Sequence, residues 1–395
     1  MRDFILNTPT KVVFGKDSEG KLPELLKSHG AKRVLVHYGG GKALEGGLLK
    51  RTLSSIEQAG ASYIELGGVQ PNPRLSLVEK GIKLCVEEGV DFILAIGGGS
   101  VIDSAKAIGM GVCGGGDVWD FYSGKRTPER CMPIGVVLTV SAAGSEMSNS
   151  SVITNDYTCE KRGRNAEISR PVFAIMNPAL TLTVPAYTTA CGCADILMHT
   201  LERYLNGGES MDLTDAIAEA LMSTVVSASK KLKKHLNDYD ARANVMWAGA
   251  LSHNGLTGCG SDGGDWSTHS LGHELSAKYD VAHGASLTAV WGSWARYVYK
   301  NSINRFYKFA VQAMGVRPSG TRESLALKGI EAVEEWFKYL GMPTCIADLR
   351  ANPTDDELVQ MAKSCAFHTG GKKGTCRVLH EEDMLAIYRM AAHRS

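Results

Sequence analysis

The chain has 395 residues, too many for one small hydrophobic core, so two domains are expected. Apolar residues make up 44% and charged residues 22%, the mix of a globular enzyme rather than of a disordered or fibrous chain. The formal net charge is +1, with "KKLKKH" at 230–235 the only short basic run, which argues against nucleic acid or an anionic membrane as partner.

At the N-terminus, "MRDFILNTPTKVVFGKD" has no continuous apolar core and no small-residue cleavage site. No run of 18 uncharged apolar residues follows, so a cytoplasmic chain without a membrane span is expected. Short β-branched runs then recur through residues 1–180, three of them followed by glycine. "KRVLVHY" (32–38) runs into Gly39, Gly40 and Gly41, and "ASYIEL" (61–66) into Gly67 and Gly68. "DFILAI" (91–96) runs into Gly97, Gly98, Gly99 and Ser100, and "PIGVVLT" (133–139) is the next run. Helical stretches such as "RLSLVEKGIKLCVEEG" and "VIDSAKAIGMGV" separate them. Buried strands alternating with helices imply a mostly parallel sheet covered on both faces, with ligands beyond the carboxyl ends of its strands.

"GGGSVIDSAKAI" places three glycines and a serine directly before a helix, where backbone N–H groups and the helix dipole suit a phosphate. A turn that merely needs positive φ would explain one glycine; two triple-glycine turns after successive strands favour a dinucleotide. Neither turn is the G-x-G-x-x-G fingerprint of an ordinary Rossmann domain. Residues 37–42 contain no acid to accept from a ribose 2′-OH and do contain Lys42, which favours NADP over NAD. Lys42 could equally be a solvated lysine at a helix start.

From about Pro185 the pattern becomes helical, and the composition changes most sharply near "NPALTLTVPAYTT" (177–189). Leu213, Ile217, Leu221 and Val225 form an expected core stripe at spacing four. A helix is predicted from Thr321 to Gly341, with Pro343 just beyond, and Thr354 with Glu357 has capping-box spacing. Ten scattered cysteines, with only Cys191 and Cys193 close together as C-x-C, read as reduced thiols.

"CADILMHTLERYL" sets Asp195 and His199 four apart, on one helix face and about 6 Å apart at Cβ. Alone, such a pair is an ordinary surface hydrogen bond. About 70 residues on, "GGDWSTHSLGHELSAKYDVAHG" (263–284) adds His269, His273 and His283. One carboxylate and up to three imidazoles form an O/N donor set for Fe²⁺, Zn²⁺, Mn²⁺ or Ni²⁺. Spacing alone does not say which of the three later histidines bind. The order H-x-x-x-H-E puts no glutamate between His269 and His273, so a zinc protease is disfavoured.

With "FILNTPTKVVFGK" (4–16), "YGGGK", "AIGGGSVIDSAKAI", "TVSAAGSEMSNSSVIT" (139–154), "GCADILMHTLERYL" (192–205) and the histidine segment, the chain resembles the metal-dependent (iron-containing, group III) alcohol dehydrogenases. Within them it is most similar to the NADPH-dependent butanol dehydrogenase and aldehyde reductase branch. The resemblance implies an α/β, Rossmann-like dinucleotide-binding domain over 1–182 and an all-α metal- and substrate-binding domain over 183–395, an architecture shared with dehydroquinate synthase. It implies one divalent metal, Fe²⁺ or Zn²⁺, on Asp195, His199, His269 and His283, with His273 bordering the chemistry as a proton relay. It also implies NADP(H) on Gly39, Gly40, Gly41, Lys42, Gly97, Gly98, Gly99, Ser100, Asp103, Thr139, Ser148, Lys161 and Thr181, and a homodimer built by exchange of the N-terminal strand. The pattern departs at Ser141 and Ala143, where Pro and Thr are frequent, and at Lys42, where serine is frequent.

The implied reaction is hydride transfer between a primary, butanol-like alcohol and its aldehyde. A bound dication makes this possible, since zinc lowers the pKa of bound water from about 15.7 to about 7, roughly 12 kcal/mol if carried over to an alcohol. A glycerol dehydrogenase-like polyol oxidoreductase of the same architecture is the rival enzyme. A catalytically silent metal- and nucleotide-binding protein is the rival outside enzymes, disfavoured by the complete set of ligands and His273.

Overall fold

The strands Arg33–Gly39 and Phe92–Gly97 form where their β-branched residues predict and end in their glycine turns, whereas the strand Ser62–Val69 runs on through Gly67 and Gly68, which the sequence suggests as a turn. The computed structural model describes residues 2–40, 44–208 and 211–393, so Gly41 and Lys42 lie outside the described residues. The strands are β1 (Lys11–Phe14), β2 (Arg33–Gly39), β3 (Ser62–Val69), β4 (Phe92–Gly97), β5 (Ile134–Leu138), β6 (Ser150–Asn155), β7 (Glu160–Asn165) and β8 (Phe173–Met176). Six make one parallel sheet in the order β1-β8-β5-β4-β2-β3, and β6 and β7 form a separate antiparallel hairpin.

Helices α1 (Leu22–Ser28), α2 (Leu49–Gln58), α3 (Leu75–Glu87), α4 (Gly99–Gly114) and α5 (Trp119–Tyr122) connect them. Alternate residues of each strand feed two separate apolar layers. Leu35, Ile93, Ala95, Ile134 and Val136 pack with α3 and α4 through Val78, Ile102 and Ala105. Val34, Val36, Leu94, Ile96 and Val137 pack with α1 and α2 through Leu22, Leu26 and Ile56. Burial on both faces explains why these runs are continuously apolar rather than alternating.

The chain travels outward from β2 to β3 on one side and from β4 to β5 on the other. Neighbours β2 and β4 therefore form the topological switch point, and their carboxyl ends carry the two glycine turns.

The helical part comprises α6 (Ala186–Tyr204), α7 (Asp212–Lys234), α8 (Tyr239–His253), α9 (Ser267–Tyr279), α10 (His283–Val298), α11 (Ile303–Gln312), α12 (Arg322–Leu340), α13 (Asp355–His368) and α14 (Glu381–Ala392). As the sequence predicts, Thr321 caps α12 by accepting from Ser324 N, and Gly341 ends it at φ 83°. The capping box of Thr354 and Glu357 opens α13. The α7 stripe differs from expectation: Leu213 is 67% exposed, while Thr214, Asp215 and Ala218 are buried. A step of four overshoots a turn by about 40°, so a stripe in phase at Val225 has rotated into solvent by Leu213. Asp215 is buried because Arg305 and Lys308 pair with it, Lys308 Nζ at 2.9 Å. Among the described residues no helix is long and apolar enough to cross a membrane.

Two compact units result. One comprises Thr8–Pro185 and His235–Ala250; the other comprises Ala186–Lys234, the chain from Leu251 onward and the segment before Thr8. The division after residue 182 and the continuous second half that the sequence suggests thus differ from the observed partition. A 3₁₀ turn at Pro178–Thr181 prolongs the end of β8, and α6 starts only beyond Pro185. Most of α8 belongs to the α/β unit because Met246 and Ala250 join its apolar layer, which helical periodicity cannot foretell.

A buried imidazole and hydroxyl sit beside that layer. His37 on β2 is fully buried; its Nδ1 donates to Leu66 O at 2.8 Å, and its Nε2 accepts from Ser104 Oγ at 2.9 Å. Burial lowers its pKa to about 4, against a smaller upward pull from Leu66. The unfolded imidazole takes its proton near 6.5, so between pH 6.5 and 4 the unfolded chain holds more protons and stability falls as pH drops. This contribution is roughly 3 kcal/mol across the window. A His37→Asn variant, measured by urea unfolding at pH 7 and pH 5, is expected to lose part of that pH dependence; an unchanged difference between the two pH values would contradict it.

Candidate functional site

Helix α6 supplies the centre. From Asp195, a step of four reaches His199 and a step of seven reaches Glu202, all on one buried face. His199 Nδ1 lies 3.0 Å from the Asp195 carbonyl oxygen and 3.2 Å from Asp195 Oδ1. A carbonyl only accepts, so Nδ1 carries the proton and the Nε2 lone pair points elsewhere.

The Gly-Gly-Asp-Trp turn brings in α9. Gly263 and Gly264 both have φ 93°, and Trp266 takes φ 60°. A Cβ on Gly264 would lie 2.8 Å from Glu202 O, so only glycine lets this turn rest on the α6 backbone. Asp265 N donates to Glu202 O at 2.8 Å. The Asp265 carboxylate accepts from Ser267 N, Thr375 N and Cys376 N, which ties the turn to the loop before α14. His269, in the first turn of α9, is thereby held with its Nε2 3.7 Å from Asp195 Oδ1.

His283 is the first residue of α10, and its Nε2 also lies 3.7 Å from Asp195 Oδ1. The following Gly284 is required by the approach: a Cβ there would meet Cys191 O at 2.2 Å. Asp195, His199 and His269 present donor atoms that all lie within 4.8 Å of one another, and His283 adjoins them through Asp195. His273, half-buried, stands 5.3 Å from the His283 ring and 6.3 Å from the His269 ring, centroid to centroid.

The electrostatics are those of a cation site. Burial works to raise the Asp195 carboxyl, but the His199 and His283 imidazoles hold it well below the usual carboxylate range. Burial lowers His199, with Asp195 opposing. Burial also works against a charge on His269, yet Glu202 and Asp195 outweigh it and raise that imidazole to about 9. Asp195 Oδ1 and His269 Nε2 are both buried without a hydrogen-bond partner among the described residues. Unpaired polar atoms cost several kcal/mol in a protein interior, so these converging atoms fit a divalent ion. The O/N₃ donor set suits Fe²⁺ or Zn²⁺ alike.

Reasoning from sequence missed the layer around this cluster. Glu202 faces His269 Nδ1 and is fully buried. Arg203 spans His199 O (2.8 Å), Ser252 O (2.9 Å) and His253 Nδ1 (3.2 Å), and lies 4.5 Å over the Trp266 ring. His253 packs edge-on against His199 with centroids 4.2 Å apart. Glu202 had a visible signal, since D-x-x-x-H-x-x-E keeps one helix face; Arg203 and His253 had none.

The α/β unit holds the remaining sequence-predicted residues. Gly39, Gly40, Gly97, Gly98 and Gly99 all avoid positive φ, so the turn explanation for them fails. Close packing accounts for most of them instead: a Cβ would come within 2.9 Å of Val69 O at Gly39, 2.4 Å of Val101 at Gly97 and 2.9 Å of Val140 at Gly98. A Cβ on Gly40 would meet nothing within 4 Å among the described residues. Helix α4 begins at Gly99 and Ser100 with no side-chain cap, and Val101 N already bonds Gly98 O at 3.1 Å, so the N–H groups of Gly99 and Ser100 are the ones a helix start leaves for a ligand.

Asp103 and Ser148 brace that helix. The Asp103 carboxylate accepts from Ser145 Oγ (2.6 Å) and Val152 N (3.0 Å), and burial raises it despite the nearby Lys106. Ser148 is fully buried beside Lys106 Nζ, which also donates to Ser145 O (2.7 Å) and Ser150 O (2.8 Å). Burial brings Lys106 down to about 8. Thr139 N bonds Gly97 O at 3.0 Å, Lys161 Nζ donates to Asn72 Oδ1 at 2.8 Å, and Thr181 Oγ1 donates to Pro178 O at 2.7 Å.

Residues 9–178 match the family described as iron-containing alcohol dehydrogenase, and residues 189–392 match the C-terminal part of the Fe-containing alcohol dehydrogenase family. The chain is 38% identical to the NADH-dependent butanol dehydrogenase A of Clostridium acetobutylicum, over 98% of this chain and 99% of that protein. It is 34% identical to an NADPH-dependent aldehyde reductase of Escherichia coli, over 88% of this chain and 89% of that protein. The crystal structure of NADH-dependent butanol dehydrogenase A from Thermotoga maritima superposes with a TM-score of 0.95 at 36% identity, covering 100% of this chain and 99% of that one.

If Asp195 is the anionic member of a cation site, Asp195→Asn removes the only negative charge among the four donor residues. Its Zn²⁺ affinity, measured by competition with a chromophoric chelator, is expected to fall by at least about 100-fold, more than a supporting residue would cost. Wild-type affinity in a folded Asp195→Asn protein would exclude this site.

Proposed function

The chain belongs to the iron-containing alcohol dehydrogenase family, and we propose that it interconverts primary, butanol-like alcohols and their aldehydes with NADP(H) and one divalent metal, Fe²⁺ or Zn²⁺. The observation that carries this reading is the pair of buried atoms, Asp195 Oδ1 and His269 Nε2, which lie 3.7 Å apart without a hydrogen-bond partner among the described residues. When bound, the cation supplies Lewis acidity toward the substrate oxygen, and the reduced nicotinamide supplies the hydride.

The chain's own residues do the rest. Asp195 contributes the one negative charge among the four ligands, and His199, His269 and His283 contribute neutral nitrogens, so ion and ligands together would keep about one positive charge, which the Glu202 carboxylate behind His269 offsets. In the reductive direction, aldehyde, NADPH and one proton give alcohol and NADP⁺. His273, half-buried beside His283, is the residue we assign to pass that proton between the substrate oxygen and solvent. Gly97, Gly98, Gly99 and Ser100, at the switch point and the uncapped start of α4, receive the pyrophosphate. Asp103, Thr139, Ser148, Lys161 and Thr181 complete or brace the cofactor groove.

The names of the relatives divide between NADH and NADPH. What supports NADP(H) here is the lack of an acid over residues 37–42, where the sequence sets Lys42 directly after Gly39, Gly40 and Gly41 as the cation for a 2′-phosphate. The ten free cysteines support a reducing, cytoplasmic setting. Exposed Phe4, Ile5 and Leu6, ahead of edge strand β1, support a homodimer that exchanges this segment.

Chelation is expected to abolish NADPH oxidation with butyraldehyde, and Fe²⁺ without oxygen, or Zn²⁺, to restore it; full turnover by a verified metal-free sample refutes the metal's part. Wild-type kcat/KM should favour NADPH over NADH, and Lys42→Ala should shrink that preference about tenfold, the cost of one charge-assisted contact. An unaltered ratio in Lys42→Ala would remove Lys42 from cofactor selection.

A further inference from the structure

Glu202 is fully buried in the helical unit, and its two oxygens have separate tasks. Oε1 accepts from Thr268 N at 2.7 Å and from His269 N at 3.3 Å, both in the first turn of α9. Oε2 faces His269 Nδ1 within hydrogen-bonding distance. The residue's own carbonyl accepts from Asp265 N at 2.8 Å, and Gly264 lies against it too closely for any side chain. One residue of α6 therefore fixes both the backbone and the ring of His269.

The chemistry of this arrangement leaves little choice of side chain. Both oxygens must accept, since Thr268 N, His269 N and His269 Nδ1–H are all donors. A carboxylate offers two accepting oxygens; an amide offers one. With glutamine, one orientation keeps the bond to the α9 N–H groups but turns an NH₂ donor toward Nδ1. The imidazole must then accept at Nδ1 and carry its proton on Nε2, the atom 3.7 Å from Asp195 Oδ1. The other orientation satisfies Nδ1–H and points NH₂ at two backbone donors.

We propose that Glu202 is a positioning residue: by accepting from His269 Nδ1 it leaves the Nε2 lone pair facing Asp195, and so sets the affinity of the cluster for a divalent cation. It touches neither substrate nor cofactor in this role. The carboxylate also makes the ring a stronger electron donor, as carboxylates behind ligating histidines do elsewhere. This inference rests on the metal reading of Asp195, His199, His269 and His283.

The test uses Zn²⁺ and the full chain. Glu202→Gln should bind Zn²⁺ about 10- to 100-fold more weakly than wild type in competition with a chromophoric chelator. Glu202→Asp, which keeps two accepting oxygens, should lose less. Far-UV circular dichroism of the metal-free variants reports whether the fold persists. Independently of any variant, ¹⁵N-histidine NMR of the Zn²⁺-loaded wild type should show His269 protonated at Nδ1. Zn²⁺ affinity at the wild-type level in a folded Glu202→Gln protein, or a proton on His269 Nε2 in the loaded wild type, overturns the role of Glu202. If Glu202→Gln does not fold, the NMR result decides. Wild-type protein that takes up no Zn²⁺ fails the metal reading itself, a different and earlier failure.

Discussion

A carboxylate oxygen with no hydrogen-bond partner among the described residues, buried among three imidazoles, is the constraint around which the helical unit is arranged. Such a group is costly to bury unless something charged meets it. Three helices converge to build the cluster: α6 through Asp195 and His199, α9 through His269 and α10 through His283. The convergence needs backbones closer than side chains allow, and Gly264 and Gly284 are the residues that permit it. A methyl group at either would push a ligand away from the centre before any question of chemistry arose.

The α/β unit follows a different logic, in which backbone rather than side chains edges the carboxyl ends of the central strands. Its sheet reverses its order between β2 and β4, and the crevice so formed is edged by Gly39, Gly40 and Gly97 to Gly99. Lys106 supports this edge from behind. Its ammonium, wholly buried, gathers carbonyl and hydroxyl oxygens of residues 145–150, while Asp103 binds the same segment from the other end of one helical turn. A charge network inside the fold thus holds the loop that follows β5 close against the start of α4, with Val140 at Gly98 and Ala143 at Gly99. The hydroxyls of Ser145 and Ser148 serve that network, which gives them a structural task alongside any contact to a cofactor.

Much of this was legible in the residues because it depends on local rules. Continuous β-branched runs gave the central strands, Thr354 with Glu357 gave a capping box, and Thr321 and Gly341 gave both ends of α12. Asp195 and His199 were legible as a pair because helical geometry alone puts positions four apart on one face. Leu213 shows the limit of the same rule, for a stripe read at a constant step of four drifts off the buried face within three steps.

The sequence by itself determined the alternation of strands and helices, the glycine turns, the donor types and their grouping into two segments, since periodicity, capping and turn chemistry act over a few residues. Only the tertiary structure decided that His269 and His283 face Asp195 while His273 stands behind His283, that Glu202 holds the back of His269, and that most of α8 packs with the α/β core. Those facts depend on where helices about 70 residues apart come to rest, and on glycines whose need for closeness appears only when the second backbone is in place. Spacing fixes which face of a helix a residue occupies; packing fixes what that face meets.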